Sequence, residues 1–396
     1  MKPKLLNILE TALNSKENQT YQVCSKCVMD TSDPKIAFDA SGICNHCLDF
    51  VKKSKLILTG SHGKNQFQNI SNKIKKYGRN KEYDCILGLS GGVDSAYVAI
   101  LAKDAGLRSL VVHVDAGWNS ELSVYNIERI VKYCNFDLHT EVIDWESMKN
   151  LQRAYLASGI ANQDVPQDHI FFATLYKIAK QNRIKYILSG SNIATEGIFP
   201  SSWHGDAMDS QNLKAIFKRF GSGNISKYST MSFMQYYIMY PFIYRMETVK
   251  PLNFIEYNKK HAIDELISKL GYRPYSGKHG ESVFTKFFQS YYLPNKYGFD
   301  KRRPHLSSLI ASEQITREHA LRELEATPFD EETIDQELKF IAKKLSMTPD
   351  ILDFYINNNT TTSYNDLPNW QSKIGLLRKI YKILKRAGLR LSLRAH

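Results

Sequence analysis

From Tyr83 onward the chain alternates short apolar runs with amphipathic ones. Tyr83–Leu89, Leu107–Val114, Leu138–Ile143 and Tyr186–Ser189 read as strands. Asp94–Ala105, Ser123–Cys134 and His169–Asn182 carry helical spacing between them. Apolar runs joined by helices predict a parallel sheet covered on both faces. Right-handed crossovers make it doubly wound, so the expected fold class is α/β. Ligands of such sheets bind beyond the carboxyl ends of the strands. Residues 1 to about 20 read as a short helix, and 51–80 as a basic connection with one amphipathic helix. A further helix is expected from about Ser210, and the aromatic run Met231–Tyr244 reads as core or interface.

Composition narrows the class. Apolar content of 43% and charged content of 23% are those of a soluble globular protein. No apolar run is long enough to span a bilayer, and the first residues hold no apolar signal core, so a cytoplasmic protein is expected. A net charge of +13 calls for a polyanion, a phosphorylated substrate or an acidic surface. Gln371–His396 is basic without an acid, and Leu377, Ile380, Tyr381 and Leu384 give it an apolar face. It is either a contact for an anionic membrane or partner, or a surface helix packed on its own domain.

Four of the six cysteines form two knuckles, Cys24-x-x-Cys27 and Cys44-x-x-Cys47, sixteen residues apart. That spacing fits a closed structural zinc site, with His46 pointing away because four sulfurs fill a tetrahedron. Free buried thiols, a redox pair or an iron–sulfur cluster are the alternatives.

Ser90-Gly91-Gly92-Val93-Asp94-Ser95 follows the first strand and opens the first helix. Glycines let backbone N–H groups close round an anion, Ser90 and Ser95 add hydroxyls, and the helix dipole adds positive potential. The frame is neither a Walker loop nor a dinucleotide fingerprint. It resembles the PP-loop of the ATP pyrophosphatases. That resemblance puts Val114 and Asp115, at the end of the second strand, near the adenosine of ATP. Trp118 could stack on a ring or fill the core. At the end of the fourth strand Gly190, Asn192 and Glu196 face the phosphates, and Glu196 could hold Mg²⁺. Two further polar clusters flank an aromatic segment: Lys278, His279, Glu281 and Lys286, then Lys301, Arg302 and Arg303, a positive site suited to a diphosphate.

Together these segments resemble the N-acetyl sugar amidotransferase family of bacterial surface-glycan biosynthesis. The carriers are the four-cysteine knuckle, SGGVDS at 90–95, HVDAGWNS at 113–120, GSNIATEG at 190–197, GKHGESVFTKFF at 277–288 and KRRPHLSSLI at 301–310. The resemblance implies conversion of a sugar acetamido group to acetamidino, in lipopolysaccharide O-antigen or flagellin glycan synthesis. ATP adenylates the amide oxygen and ammonia displaces AMP. The sugar is nucleotide-activated or free. Asp94, Lys278, His279 and Glu281 are the candidate catalytic residues, Glu281 taking a proton from ammonia. Cys85 and Cys134 have no glutaminase context, so a separate glutaminase subunit is expected to supply ammonia. The division that follows is a zinc-knuckle region at 1–60, a PP-loop domain at 80–270, a substrate-binding segment at 271–325 and a helical basic region at 326–396.

The rival from another substrate class is a tRNA-modifying PP-loop enzyme of thiolase or lysidine type. It would share the knuckle and the basic charge. Only two spare cysteines, and no C-x-x-C beyond the knuckle to hold a cluster, weaken the thiolase version, and no nucleic acid is expected. A non-enzymatic zinc adaptor would leave SGGVDS unexplained.

Overall fold

A computed structural model describes residues 20–203, 205–275 and 280–386. Its sheet has five strands: β1 (Cys85–Gly88), β2 (Ser109–Asp115), β3 (Asp137–Val142), β4 (Tyr186–Leu188) and β5 (Glu247–Val249). Their order is β3-β2-β1-β4-β5 and every neighbouring pair is parallel. The first four lie where the apolar runs predicted. The chain grows one way from β1 through β2 to β3, then resumes on the other side at β4. The crevice at that reversal, between β1 and β4, is the place such sheets keep for ligands.

Side-chain alternation explains why both faces are covered. Ile86, Val112 and Val114 point into one core with Met148, Leu151, Tyr155 and Ile170. Leu87, Leu89 and Val111 point into the opposite core with Val98, Ile100, Ile130 and Leu266. Each fully buried side chain of this size stabilises the fold by about 1.5–3 kcal/mol. β3 departs from the expectation of a strand buried on both faces. It is the sheet edge, almost wholly exposed, and Asp137, His139 and Glu141 keep that edge polar. The helix Trp145–Ser158 and strand β5 were not anticipated.

A third core joins the four cysteines to Trp118, Trp203 and the aromatic run Phe284–Tyr292. The sheet is thereby tied to the regions on either side of it. The helix expected before residue 20 lies outside the described residues. In the C-terminal helix Gln371–Arg386, Ile374 and Leu377 pack on the first core beside the buried Trp370, whereas Leu376, Ile380 and Ile383 face outward. Leu377 and Ile380, read from sequence as one face, are thus separated. No helix among the described residues is long and apolar enough to cross a membrane.

Candidate active site

β1 ends at Gly88, and the loop 90–92 leads into the helix Val93–Asp104. Gly91 has φ +86°, a left-handed conformation that glycine adopts without strain. The hydroxyls of Tyr272 and Tyr275 donate to the Gly91 carbonyl at 3.0 and 3.1 Å. The trans peptide then turns the Gly92 N–H to the other side, where it donates to Ser90 Oγ at 3.2 Å. Ser95 Oγ stands 3.4 Å from Ser90 Oγ. Two hydroxyls, an N–H group and a helix N-terminus therefore surround one small space, the requirement for a pyrophosphate cradle.

The end of β4 closes it from the side. A Cβ on Gly190 would lie 2.9 Å from Ser95 N and 3.1 Å from the Asp94 carbonyl carbon, both backbone atoms that cannot yield. Gly190→Ala is expected to displace the loop and to weaken ATP binding at least tenfold in a protein that still melts cooperatively. ATP titration of the purified variant checks this, and wild-type affinity would contradict it. Asn192 is the N-cap of a short helical turn, its Oδ1 accepting from Thr195 N at 2.8 Å. Glu196 follows, exposed. Tyr257 donates to Asp94 Oδ1, and its hydroxyl pKa is pushed far up by burial and by the charges of Asp94 and Glu196. Tyr257 thus stands beside Asp94 and within the field of Glu196.

At the end of β2, Asp115 Oδ1 accepts from Gly117 N at 2.8 Å. Asp115 also lines a cavity of about 220 Å³ with Val142, Trp145 and Lys344. Val114 lies just before it in the strand, buried. Trp118 is 1% exposed, donates to Gln152 Oε1 and packs between Trp145 and Phe284. Neither ring face is open to a ligand, so the substrate-stacking expectation is corrected to a core role.

The segment after residue 280 crosses the mouth of the cradle. Ser120 N donates to Glu281 O at 3.0 Å, Val283 N donates to Trp118 O at 2.9 Å, and Asn119 and Ser282 form an antiparallel bridge. This holds the Glu281 carboxylate 3.5 Å from the point a Cβ on Gly92 would occupy. Lys278 and His279 lie outside the described residues.

Other expected ligands are committed elsewhere. Lys286 pairs with Glu337. Arg302 forks onto Asp300 and donates to Glu323 O. Arg303 pairs with Asp30 at 3.0 Å and donates to Val28 O. The Arg302–Arg303 anion site is therefore corrected: both guanidinium groups are spent on protein contacts. The helix that bears them, Arg302–Ala311, is a strut. On one side Ser307 Oγ accepts from Val28 N, and on the other Ser308 and Ser312 hold the backbone at Ile198 and Ala194. Lys301 remains at the site, its ammonium 4.0 Å over the Phe199 ring and within electrostatic range of Asp164 and Asp168.

Sequence reasoning missed those two acids, which open the helix Val165–Gln181. Phe171 of that helix packs where Gly88 lacks a side chain, which sets the helix over the end of β1. Asp164 is buried and accepts from Thr285 Oγ1 at 3.1 Å and Gln167 Nε2 at 2.6 Å, and Ser282 Oγ donates to Gln167 Oε1. Asp168 is exposed, one helical turn after Asp164. No hydrogen bond or ion pair engages it among the described residues. Burial pushes the Asp164 carboxyl up to about 6; at the exposed Asp168, desolvation by the protein packed beside it and then the charge of Asp164 push the carboxyl up to about 8, and Lys301 opposes both shifts. Two acids one turn apart before an otherwise apolar helix were the available signal, but helix starts commonly carry acids for capping.

The four cysteine sulfurs lie within 4.8 Å of one another, with pairs at 3.7, 3.8 and 3.9 Å. A tetrahedral zinc with Zn–S near 2.3 Å requires about 3.8 Å between sulfurs, so the thiols fit that ion. His46 instead meets Asp33 at 2.6 Å.

Two family models match the chain. Residues 64–222 match NAD synthase, and residues 281–380 match the C-terminal domain of LPS biosynthesis protein WbpG-like proteins. No curated protein matches significantly. Among solved structures, the NH3-dependent NAD synthetase of Campylobacter jejuni is similar at 18% identity and TM-score 0.27, over 40% of this chain and 72% of that one. NMN synthetase of Francisella tularensis is similar at 15% and 0.28, over 55% and 98%. NAD+ synthetase of Burkholderia pseudomallei is similar at 16% and 0.30, over 76% and 95%. The chain joins an NAD synthase-type PP-loop domain to a WbpG-like domain, a combination consistent with a PP-loop sugar amidotransferase family.

Proposed function

We propose that the protein is an ATP-dependent, AMP-forming amidotransferase of lipopolysaccharide biosynthesis. It would convert a sugar acetamido group to acetamidino with ammonia from a separate glutaminase subunit. One observation carries this reading: Glu281, where the WbpG-like match begins, is held against Gly92 of the PP-loop. The part that distinguishes this chain from an NAD synthase thus meets the part that activates ATP.

The amide oxygen attacks the α-phosphorus, the bond to the β-phosphate breaks, and pyrophosphate leaves into the 90–95 cradle. Ammonia then adds to the imidate carbon, one N–H proton passes to a carboxylate, and the C–O bond to AMP breaks. Asp94 and Glu196 would hold Mg²⁺, which supplies charge neutralisation for the leaving phosphates. The chain contributes orientation and fixed dipoles. Glu281 stands beside the anion cradle, so a cation-bridged contact with the phosphates suits it better than proton transfer. Asp168, exposed and with no hydrogen bond among the described residues, suits the proton better.

The test is product analysis with ATP, ammonium and a panel of UDP- and CMP-linked and free acetamido sugars. AMP, pyrophosphate and a product in which NH replaces oxygen are expected. ADP formation, or ATP turnover independent of any sugar, would refute the reading. Glu281→Gln is expected to lower kcat/KM for MgATP at least tenfold while the KM for ammonium changes little; the reverse split would return Glu281 to the role of base.

A further inference from the structure

The C-terminal helix Gln371–Arg386 has two apolar faces, and the fold uses one of them. Trp370, Ile374 and Leu377 anchor the inner face to the first core. On the outer face Leu376, Ile380 and Ile383 follow one another at i, i+4 and i+7 and are 60%, 44% and 64% exposed. Lys379 and Lys382 flank that stripe on one side and Lys373 on the other, all exposed. Across Gln371–His396 the sequence holds eight Lys and Arg and no Asp or Glu. Three bulky apolar side chains in water beside exposed lysines are covered by none of the described residues.

We propose that this outer face docks on an anionic phospholipid surface. The helix lies parallel to the membrane, with Leu376, Ile380 and Ile383 at the boundary of headgroups and acyl chains and the lysines beside lipid phosphates. Charge decides between occupants. A second copy of the chain would bring the same face, and the same lysines, against itself in a two-fold contact, which like charges oppose. A bilayer of anionic lipid supplies negative charge and an apolar layer at the depths this helix presents. The inner face keeps the helix fixed to the sheet domain, so docking needs no unfolding. This proposal does not rest on the enzymatic reading.

The experiment is co-sedimentation of the full chain with phosphatidylcholine vesicles, with and without phosphatidylglycerol. Binding is expected only to the anionic vesicles and should weaken as salt rises. Leu376→Ser/Ile380→Ser/Ile383→Ser and Lys379→Gln/Lys382→Gln should each weaken it roughly tenfold or more. All five positions are exposed, so melting and lipid-free ATP turnover should match wild type. Equal binding to both vesicle types, no binding, or variants that sediment like wild type would overturn the proposal. So would a wild-type dimer that the triple serine variant converts to monomer, which would assign the face to a second copy. An acidic protein partner would leave the anionic vesicles unbound.

Discussion

Replacing Cys44 by Ser, or chelating zinc that the N-terminal knuckle would hold, should abolish turnover although the knuckle contributes no group to the reaction. The knuckle is one end of a chain of contacts. The Arg317 guanidinium donates to the carbonyls of Cys24 and Cys27, Arg303 pairs with the buried Asp30, and Ser307 takes the Val28 N–H. The other side of the helix Arg302–Ala311 holds the turn that carries Glu196: Ile198 N donates to Ser308 Oγ, Ser312 Oγ donates to Ala194 O, and His305 Nδ1 meets Thr195 O. Structural zinc contributes about 10–16 kcal/mol of apparent binding energy in small knuckles, so its loss opens the loop pair outright. Opening it takes Asp30 away from Arg303 and breaks the ion pair that ties the knuckle to the helix. The Glu196 turn should loosen while the five-stranded sheet, which shares none of these contacts, stays folded. Metal content, far-UV circular dichroism and AMP formation, followed together during chelation, test this. Full activity in protein shown to be metal-free would sink the idea.

The same strut shows where sequence reading stops. SGGVDS and the paired knuckles were legible because their chemistry is local: a turn needs its glycines and a tetrahedral ion needs its thiols at fixed spacing. β1, β2 and β4 were legible because burial on both faces writes a continuous apolar run. β5 was not, because three residues at an edge, Glu247–Val249, carry too little pattern to distinguish from loop. Arg302 and Arg303 read as an anion site because a run of cations does not display its partners. One partner, Asp300, was adjacent, and the other, Asp30, comes from the far end of the chain. Trp118 at a strand end reads the same whether its ring faces a ligand or, as here, Trp145 and Phe284. Asp164 and Asp168 were hidden by their place at a helix start, where acids are ordinary. Only the tertiary structure brings Thr285 to Asp164 and Lys301 near both, and turns two acids at a helix start into candidates for chemistry.

Asp168→Asn should cost about 10²–10⁴ in turnover with ammonium, the usual contribution of a positioned base. It should also change the pH profile in a way that a merely structural residue would not. Desolvation by the protein packed beside it raises the pKa of Asp168 most, the charge of Asp164 raises it further, to about 8, and Lys301 opposes both. A base must be ionised to work. Wild-type turnover, compared at fixed free ammonia, should therefore climb with pH and level off above about 8, where Asp168 is ionised. In Asp168→Asn the limb set by this acid should vanish, leaving a low, flatter profile. Stability should move the other way. An unfolded Asp ionises near pH 4, whereas the folded one holds its proton to about 8, so the wild-type fold loses stability progressively as pH rises between those values. Asn carries no such charge, so the melting temperature of the variant should draw ahead of wild type across that interval and gain nothing further above it. An inactive variant with no gain in stability would mean that Asp168 holds the structure together. An active variant would return the proton to Glu281. Inactivity together with a pH-dependent gain in stability is the signature of a charge kept, against the interest of the fold, for the reaction.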